Sequence, residues 1–433
     1  MLKSCVGHSV GNSLGERVLD LFGNNIVKAV QYTKSIPRYL AMRYLGKRWQ
    51  SLYTSPFSCT RLVDIPEPQL PTPEWAKVKT RLSGICGSDL ATITAKGSPY
   101  FSPFTSTPFV LGHEIVGEIA EMGDAVDGFG VGARVVIEPA LSCKVRGISP
   151  ECHQCRNLRF ANCENITKGD ISAGIQTGYC RDTGGGWSRY VLAHQSQLHL
   201  VPDGISDEAA VLLEPFACAL HGVLKVPPNR TATICVIGGG TIGLLTVASL
   251  RILGHRNRII IFAKHPHQQE LARSLGADDV LSPNSQRYAD FCQLTRAESH
   301  QPELGQQVLI GGVDVTFDCI GTSVTIDDAL RFTRAGGEVI LVGMPGIPKN
   351  VDWTSIWYKQ LNVTGVYAYG LETHNGEQVH TFTLGMRLLQ KMESHLRPLV
   401  SALFPLKDYK RAIQTALNTG KTATVKTVFD LRD

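Results

Sequence analysis

TATICVIGGGTIGLLTVASL, residues 231–250, decides the fold, and it has two readings. Twenty residues without a charge are long enough to cross a bilayer as one helix. The three consecutive glycines, Gly238 to Gly240, argue instead for a strand, ATICVI, then a tight turn, then a buried helix, TIGLLTVASL. Gly238, Gly240 and Gly243 keep the spacing G-x-G-x-x-G, and Thr241 and Ile242 open the helix. Glycine permits the turn and lets backbone N–H groups approach a pyrophosphate, whose charge the helix N-terminus favours. These five residues are therefore the expected contacts of a dinucleotide.

Working outward, RIIIFAK, HQQELARSLGA, VDVTFDCIG and EVILVGM continue an alternation of strands and helices after Pro227. Such alternation predicts an α/β, doubly wound parallel sheet. Before about residue 220 the texture is different: short apolar runs such as WAKVKTRLSG and GARVVIEPA, broken by Gly, Pro, Asp and Ser, predict a β-rich unit.

The second strand of the parallel sheet bears on the cofactor. NAD sites place Asp or Glu about 20 residues beyond the glycines to hold the ribose 2′-hydroxyl. Ala263 stands there, no acidic residue occurs between Glu214 and Glu270, and Lys264, His265 and His267 follow. A 2′-phosphate is welcome at such a place, so NADP is favoured and NAD remains possible; an ordinary solvated loop is the plainer alternative.

The whole chain sets limits. At 433 residues it exceeds what one core usually serves, so two domains are expected. The 43 basic and 38 acidic residues leave only +5, too little for a dedicated nucleic-acid binder. Residues 21–63 contain no Asp or Glu yet carry Lys28, Lys34, Arg38, Arg43, Lys47, Arg48 and Arg61. Transit peptides are basic in this way, but Glu16 and Asp20 interrupt the N-terminus and no apolar secretory core is present. A cytoplasmic protein with reduced thiols and no membrane span is expected.

Two groups of residues carry metal chemistry. ALSCKVRGISPECHQCRNLRFANCEN, residues 140–165, gathers Cys143, Cys152, Cys155 and Cys163. With disulfides disfavoured, four thiolates in one loop suit a tetrahedral Zn²⁺ with no open position, against the alternative of a redox pair at Cys152 and Cys155. The second group is dispersed: Cys86 in GICGSDL, His113 and Glu114 in LGHEIVGE, and Glu214 in LLEPFACALHG. Each alone has a dull reading as core residue or helix-start carboxylate. Together they supply thiolate, imidazole and carboxylate, the donors of a catalytic Zn²⁺ with one position free.

From about Val27 onward, these segments stand in an order similar to that of a zinc-dependent medium-chain dehydrogenase/reductase of the alcohol, sorbitol and threonine dehydrogenase kind. C-G-S-D, G-H-E, the cysteine cluster, GGWSRYVLAH, LLEPFACALHG, the glycine turn and LGAD carry that resemblance. It implies Cys86, His113 and Glu114 as ligands of the catalytic zinc, with Glu214 as a ligand or as an exchange partner for zinc-bound water. It further implies that Ser88 relays the alcohol proton and that Asp89 orients the ligand histidine. Ala91 stands where some alcohol dehydrogenases extend the relay with a histidine, which leaves the proton's exit open.

The resemblance also implies a structural zinc lobe, two zincs per chain. The usual spacing there is C-x2-C-x2-C-x7-C, whereas this chain has C-x8-C-x2-C-x7-C, so Cys143 is displaced by VRGISP and Cys180 is the nearest substitute. The implied architecture is an N-terminal extension over residues 1–26, a GroES-like catalytic unit over 27–222 and 366–433 with the lobe at 140–165, and a Rossmann unit over 223–365. The implied activity is hydride transfer between an alcohol, secondary or polyol, and NAD(P), giving a carbonyl, in a homo-oligomer, dimer or tetramer. A small alcohol or carbonyl compound is then the partner, with SPYFSPFTSTPF, residues 98–109, a candidate pocket wall. The competing class is a non-enzymatic relative that keeps nucleotide and zinc as a sensor; intact Cys86, His113, Glu114 and Glu214 speak against it.

Overall fold

The computed structural model describes residues 26–432, so the extension expected before Ile26 lies outside the described residues. Alternating apolar residues make β1 (Ile26–Tyr32) a half-buried strand, paired antiparallel with β2 (Thr60–Pro66). Between them the basic stretch folds as a surface helix, Ile36–Leu45, with Pro37 in its first turn and Met42 buried beneath. β3 (Trp75–Gly84) is buried along most of its length, and the short β4 (Phe109–Val110) returns to β1.

β3 is the spine of the larger antiparallel sheet. It pairs with β5 (Ile115–Met122), which pairs with β6 (Arg134–Ile137), and also with β7 (Tyr190–His194); β8 (Leu198–Leu200) closes on β6. Val78, Ile119, Val135 and Val191 pack inside this β-rich unit.

The uncharged stretch 231–250 is not one helix. It divides into β9 (Ile234–Ile237), a glycine turn and the helix Thr241–Ile252. β10 (Ile259–Phe262) and β11 (Asp279–Leu281) follow on one side of β9. A small antiparallel hairpin, β12 (Glu298–His300) and β13 (Val308–Ile310), precedes β14 (Val313–Asp318), β15 (Thr333–Leu341) and β16 (Asn362–Gly365) on the other. All six strands of this sheet are parallel, in the order β11-β10-β9-β14-β15-β16. The strand order therefore reverses beside β9, the topological switch point where such sheets bind nucleotides at the carboxyl ends of their strands.

The chain then leaves the parallel sheet through the hairpin β17 (Leu371–His374) and β18 (Glu377–His380) and the helix Thr381–Leu396. β19 (Val400–Pro405) and β20 (Lys426–Asp430) join the antiparallel sheet, with Val428 of β20 opposite Gly84 of β3. This return matters for the site, because it carries Lys426 back beside residues more than 300 positions earlier. Between the sheets the helix Leu213–Lys225 buries Leu213, Phe216 and Leu220 against Leu244, Leu245, Phe382 and Leu389. Each such buried side chain contributes about 1.5–3 kcal/mol of transfer free energy, so this helix is a fixed wall rather than a mobile strap.

Candidate active site and metal centres

The dispersed group comes together. The donor atoms of Cys86, His113 and Glu114 all lie within 4.8 Å of one another, although a helix and the strand β4 separate Cys86 from the adjacent His113 and Glu114. Cys86 is the N-cap of the helix Gly87–Ile93, and its backbone N–H donates to Asp89 Oδ2 at 2.9 Å. The other oxygen of Asp89 lies 3.5 Å from His113 Nδ1, which leaves Nε2 turned toward Cys86 and Ser88 Oγ, 3.4 Å away. One helical turn thus supplies the thiol, the hydroxyl and the carboxylate that aims the imidazole, the arrangement seen behind metal-ligating histidines.

Glu114 has a partner the sequence reading missed. The Lys426 ammonium, 3% exposed, forms an ion pair with the Glu114 carboxylate, 1% exposed, and also donates to the Ile85 carbonyl. Gly84 makes room for the pair, since a Cβ there would lie 1.8 Å from Glu114 Oε2. Glu214 stands beside this group rather than among its three donors. Its Oε1 accepts from Cys218 Sγ at 3.5 Å. Burial raises the Glu214 carboxyl to about 7, aided by Glu114 and opposed by His113 and Lys426. For His113, burial disfavours the charge, yet Asp89 and Cys86 outweigh it and hold the imidazole well above its usual range. A buried site whose field favours positive charge, with one soft, one imidazole and one carboxylate donor, fits a zinc ion that keeps a position for substrate.

Two further hydroxyls lie behind Ser88. Tyr179 OH is 3.1 Å from Thr92 Oγ1 and within reach of Ser88, a buried pair that distance along the chain concealed. In the aromatic stretch 98–109, Tyr100 is 72% and Phe101 42% exposed. A cavity of about 800 Å³ opens at the carboxyl end of β16, lined among others by Gly365, Tyr367, His221, Arg159, Asn162 and Glu372 and by none of the metal donors. Glu214, Cys218, His221 and Lys225 recur at helical spacing along one face of Leu213–Lys225, with Glu214 beside the metal group and His221 and Lys225 at the cavity about two to three turns away.

The thiol cluster is closed in a different way. All four sulfurs of Cys143, Cys152, Cys155 and Cys163 lie within 4.8 Å of one another. Each accepts from at least one N–H: Cys152 N to Cys143 Sγ at 3.3 Å, Cys143 N to Cys155 Sγ at 3.4 Å, Glu164 N to Cys152 Sγ at 3.5 Å and Asn165 N to Cys163 Sγ at 3.4 Å. The eight-residue gap after Cys143 folds back as a turn, with Gly147 at φ 63° and Ile148 N donating to Cys143 O at 2.9 Å. Cys180 stays apart, its thiol donating to Ser172 O at 3.4 Å. Beneath the turn the fully buried Arg146 guanidinium donates to the carbonyls of Leu141, Lys168, Ile171, Ser172 and Gly174, with no carboxylate partner among the described residues. Its charge faces the sulfurs, and their competition shows in Cys163, pulled down to about 6 by the Cys155 hydrogen bond, while the same bond pushes Cys155 up. Four mutually crowded sulfurs with N–H donors and a cation behind them fit a structural zinc.

At the nucleotide turn Gly238 adopts φ 117°, and a Cβ on Gly243 would lie 1.7 Å from the Gly238 carbonyl, so both positions require glycine. Gly240 caps the helix Thr241–Ile252 with open space beyond its Cα, which leaves a path for a phosphate. At the end of β10, Ala263 is buried and Lys264 is exposed. His265 and His267 stack on each other at 5.7 Å and turn to the C-terminal segment, His265 against Gly420 and His267 Nε2 toward Thr424 O at 3.2 Å. Lys264 is thus the side chain of the basic run left without a hydrogen-bond partner among the described residues.

Comparison with known proteins agrees with this architecture. Residues 72–203 match the alcohol dehydrogenase GroES-like domain and residues 241–384 match the zinc-binding dehydrogenase domain. The chain is 27% identical to L-idonate 5-dehydrogenase of Vitis vinifera over 82% of its length and 87% of the relative's. It is 28% identical to sorbitol dehydrogenase of Bacillus subtilis, over 78% and 86% of the two chains. The solved structure of 2R,3R-butanediol dehydrogenase from Bacillus subtilis superposes with a TM-score of 0.68 at 25% identity, covering 93% of this chain and 99% of that one. The chain belongs to the zinc-dependent medium-chain alcohol dehydrogenase family, and is an NAD(P)-dependent oxidoreductase acting on CH–OH groups.

Proposed function

We propose that the protein oxidises a polyol, or reduces the matching carbonyl compound, with NADP as its preferred nicotinamide. The observation that carries this reading is the convergence of Cys86, His113 and Glu114 beside Ser88. Zinc held by those three donors would act as a Lewis acid, stabilising negative charge on the substrate oxygen. Asp89 fixes the ring of His113, and Ser88 Oγ stands where it can take the alcohol proton. With Ala91 unable to pass it on, Tyr179 and Thr92 offer the next hydroxyls. Glu214, uncharged or charged near neutral pH, supplies a nearby carboxylate that can exchange with a ligand. The glycine turn holds the pyrophosphate, which sets the nicotinamide toward the cleft for hydride transfer.

A polyol is favoured over a plain alcohol by the relatives rather than by the cavity, whose lining includes none of the three metal donors. Those relatives are named for idonate, sorbitol and butanediol. We read the catalytic unit as residues 27–222 with 366–433, the Rossmann unit as 223–365, and Cys143, Cys152, Cys155 and Cys163 as the second zinc site. The cytoplasm suits the chain: no helix of the described residues is long and apolar enough to cross a membrane, and their cysteines are unpaired. Homo-oligomer formation is supported by the open edge at β16, flanked by Trp357, 70% exposed, and Tyr358, 68% exposed.

The test is a screen of polyols, simple alcohols and carbonyl compounds read by nicotinamide absorbance, with NAD and NADP in parallel. NADP is expected to give the higher kcat/KM. Lys264→Ala is expected to cut the NADP to NAD ratio on the order of tenfold, the loss of one charge-assisted hydrogen bond. Preference for NAD in the unaltered enzyme would overturn the cofactor reading, and turnover of simple alcohols alone would overturn the substrate reading.

A further inference from the structure

The helix Ile36–Leu45 lies outside both matched domains and takes no part in the site described above. Its outward face is apolar: Ile36 is 67%, Leu40 45% and Tyr44 72% exposed, at positions i, i+4 and i+8, while Met42 on the opposite side is 1% exposed. Trp49, just past the end of the helix, is 52% exposed. The exposed Lys34, Arg43, Lys47 and Arg48 stand near it, none in an ion pair among the described residues, while Arg38 lies on the Met42 side with its guanidinium over the Phe57 ring at 5.8 Å. No acidic residue occurs from residue 21 to 63.

We propose that this face docks the protein on an anionic lipid surface. An apolar stripe flanked by cations, with tryptophan just past the helix, is the composition that seats a helix at the boundary of headgroups and acyl chains. Four to eight basic residues on such a helix recognise anionic headgroups. A second copy is disfavoured as the occupant, because two faces of the same sign would meet. The body beneath is firm: Arg43 Nη1 donates to the Ala95 carbonyl at 2.9 Å, and Gln414 Nε2 donates to the Gln50 carbonyl and to Thr54 Oγ1, each at 3.2 Å. Docking would therefore hold the whole catalytic unit at the surface without insertion of a spanning helix.

The experiment is sedimentation of the full chain with vesicles of phosphatidylcholine, with and without phosphatidylserine, at low and high salt. Binding is expected only with phosphatidylserine and is expected to weaken as salt screens the charges. Lys34→Gln with Lys47→Gln and Arg48→Gln should lower the partition coefficient on the order of 100-fold, about fivefold per charge. Leu40→Ser with Tyr44→Ser should weaken binding as well, and neither variant should change turnover of a soluble substrate. Absence of phosphatidylserine-dependent binding overturns the proposal. So does binding that survives the triple variant, which would place the contact elsewhere, residues 1–25 included. A fall in oligomeric mass of the serine variant by light scattering would assign the face to a second copy and overturn it too.

Discussion

The two cysteine-bearing groups are built on opposite principles. The lobe draws four like donors from one 21-residue stretch, gives each sulfur an N–H, and sets the buried Arg146 behind them. The cleft draws three unlike donors from two distant segments, Cys86 at a helix start and the adjacent His113 and Glu114 before β5, and backs two of them with a partner: Asp89 for His113, Lys426 for Glu114. A closed set of thiolates satisfies a metal and leaves nothing for chemistry; a mixed set of three leaves a place for the substrate oxygen. Proximity in sequence therefore marks the staple, and dispersal marks the reaction.

Breaking each group separately should separate activity from stability. Cys86→Ser has the largest expected effect: turnover falls on the order of 10³-fold, the several kcal/mol that a Lewis acid supplies, while the unfolding midpoint changes little. Cys155→Ser should do the reverse. Loss of the lobe metal is expected to cost at least about 4 kcal/mol of stability by denaturant unfolding, with kcat of the folded enzyme within a few-fold of normal. Arg146→Met sharpens the contrast without touching a ligand. It leaves several buried carbonyls unpaired, at about 1–3 kcal/mol each where water does not reach them, so a loss of about 3 kcal/mol is expected in the same measurement.

The smallest effect concerns pH. Burial lowers the pKa of His380, with Glu138 opposing and His199, Glu372 and His221 also facing it. The native state then holds the ring neutral while the unfolded chain takes up a proton near the ordinary value of 6.5. The unfolded state binds more protons below that pH, so stability falls as pH drops through it. His380→Gln should flatten that part of a Tm against pH curve and leave the alkaline side unchanged.

Much of this was legible in the sequence because it is local. The glycine turn, the buried strands beside it and the four clustered cysteines each announce themselves within a few residues. Cys86, His113 and Glu114 were legible only through their order along the chain. Lys426 was not, since KTATVKTVF reads as any edge strand until β20 pairs with β3 and brings its ammonium to Glu114. The Tyr179 and Thr92 hydroxyls were hidden for the same reason, lying 87 residues apart. His265 looked like part of a phosphate site from its neighbours' charge, yet packing against Gly420 turns it toward the C-terminal segment.

Zinc content per chain, measured by atomic spectroscopy on the unaltered protein and on Cys86→Ser, tests the central claim most directly. Two zincs falling to one, with activity lost and the fold retained, is the predicted result. A single zinc that survives replacement of Cys86 would contradict the assignment of the cleft as a catalytic metal site.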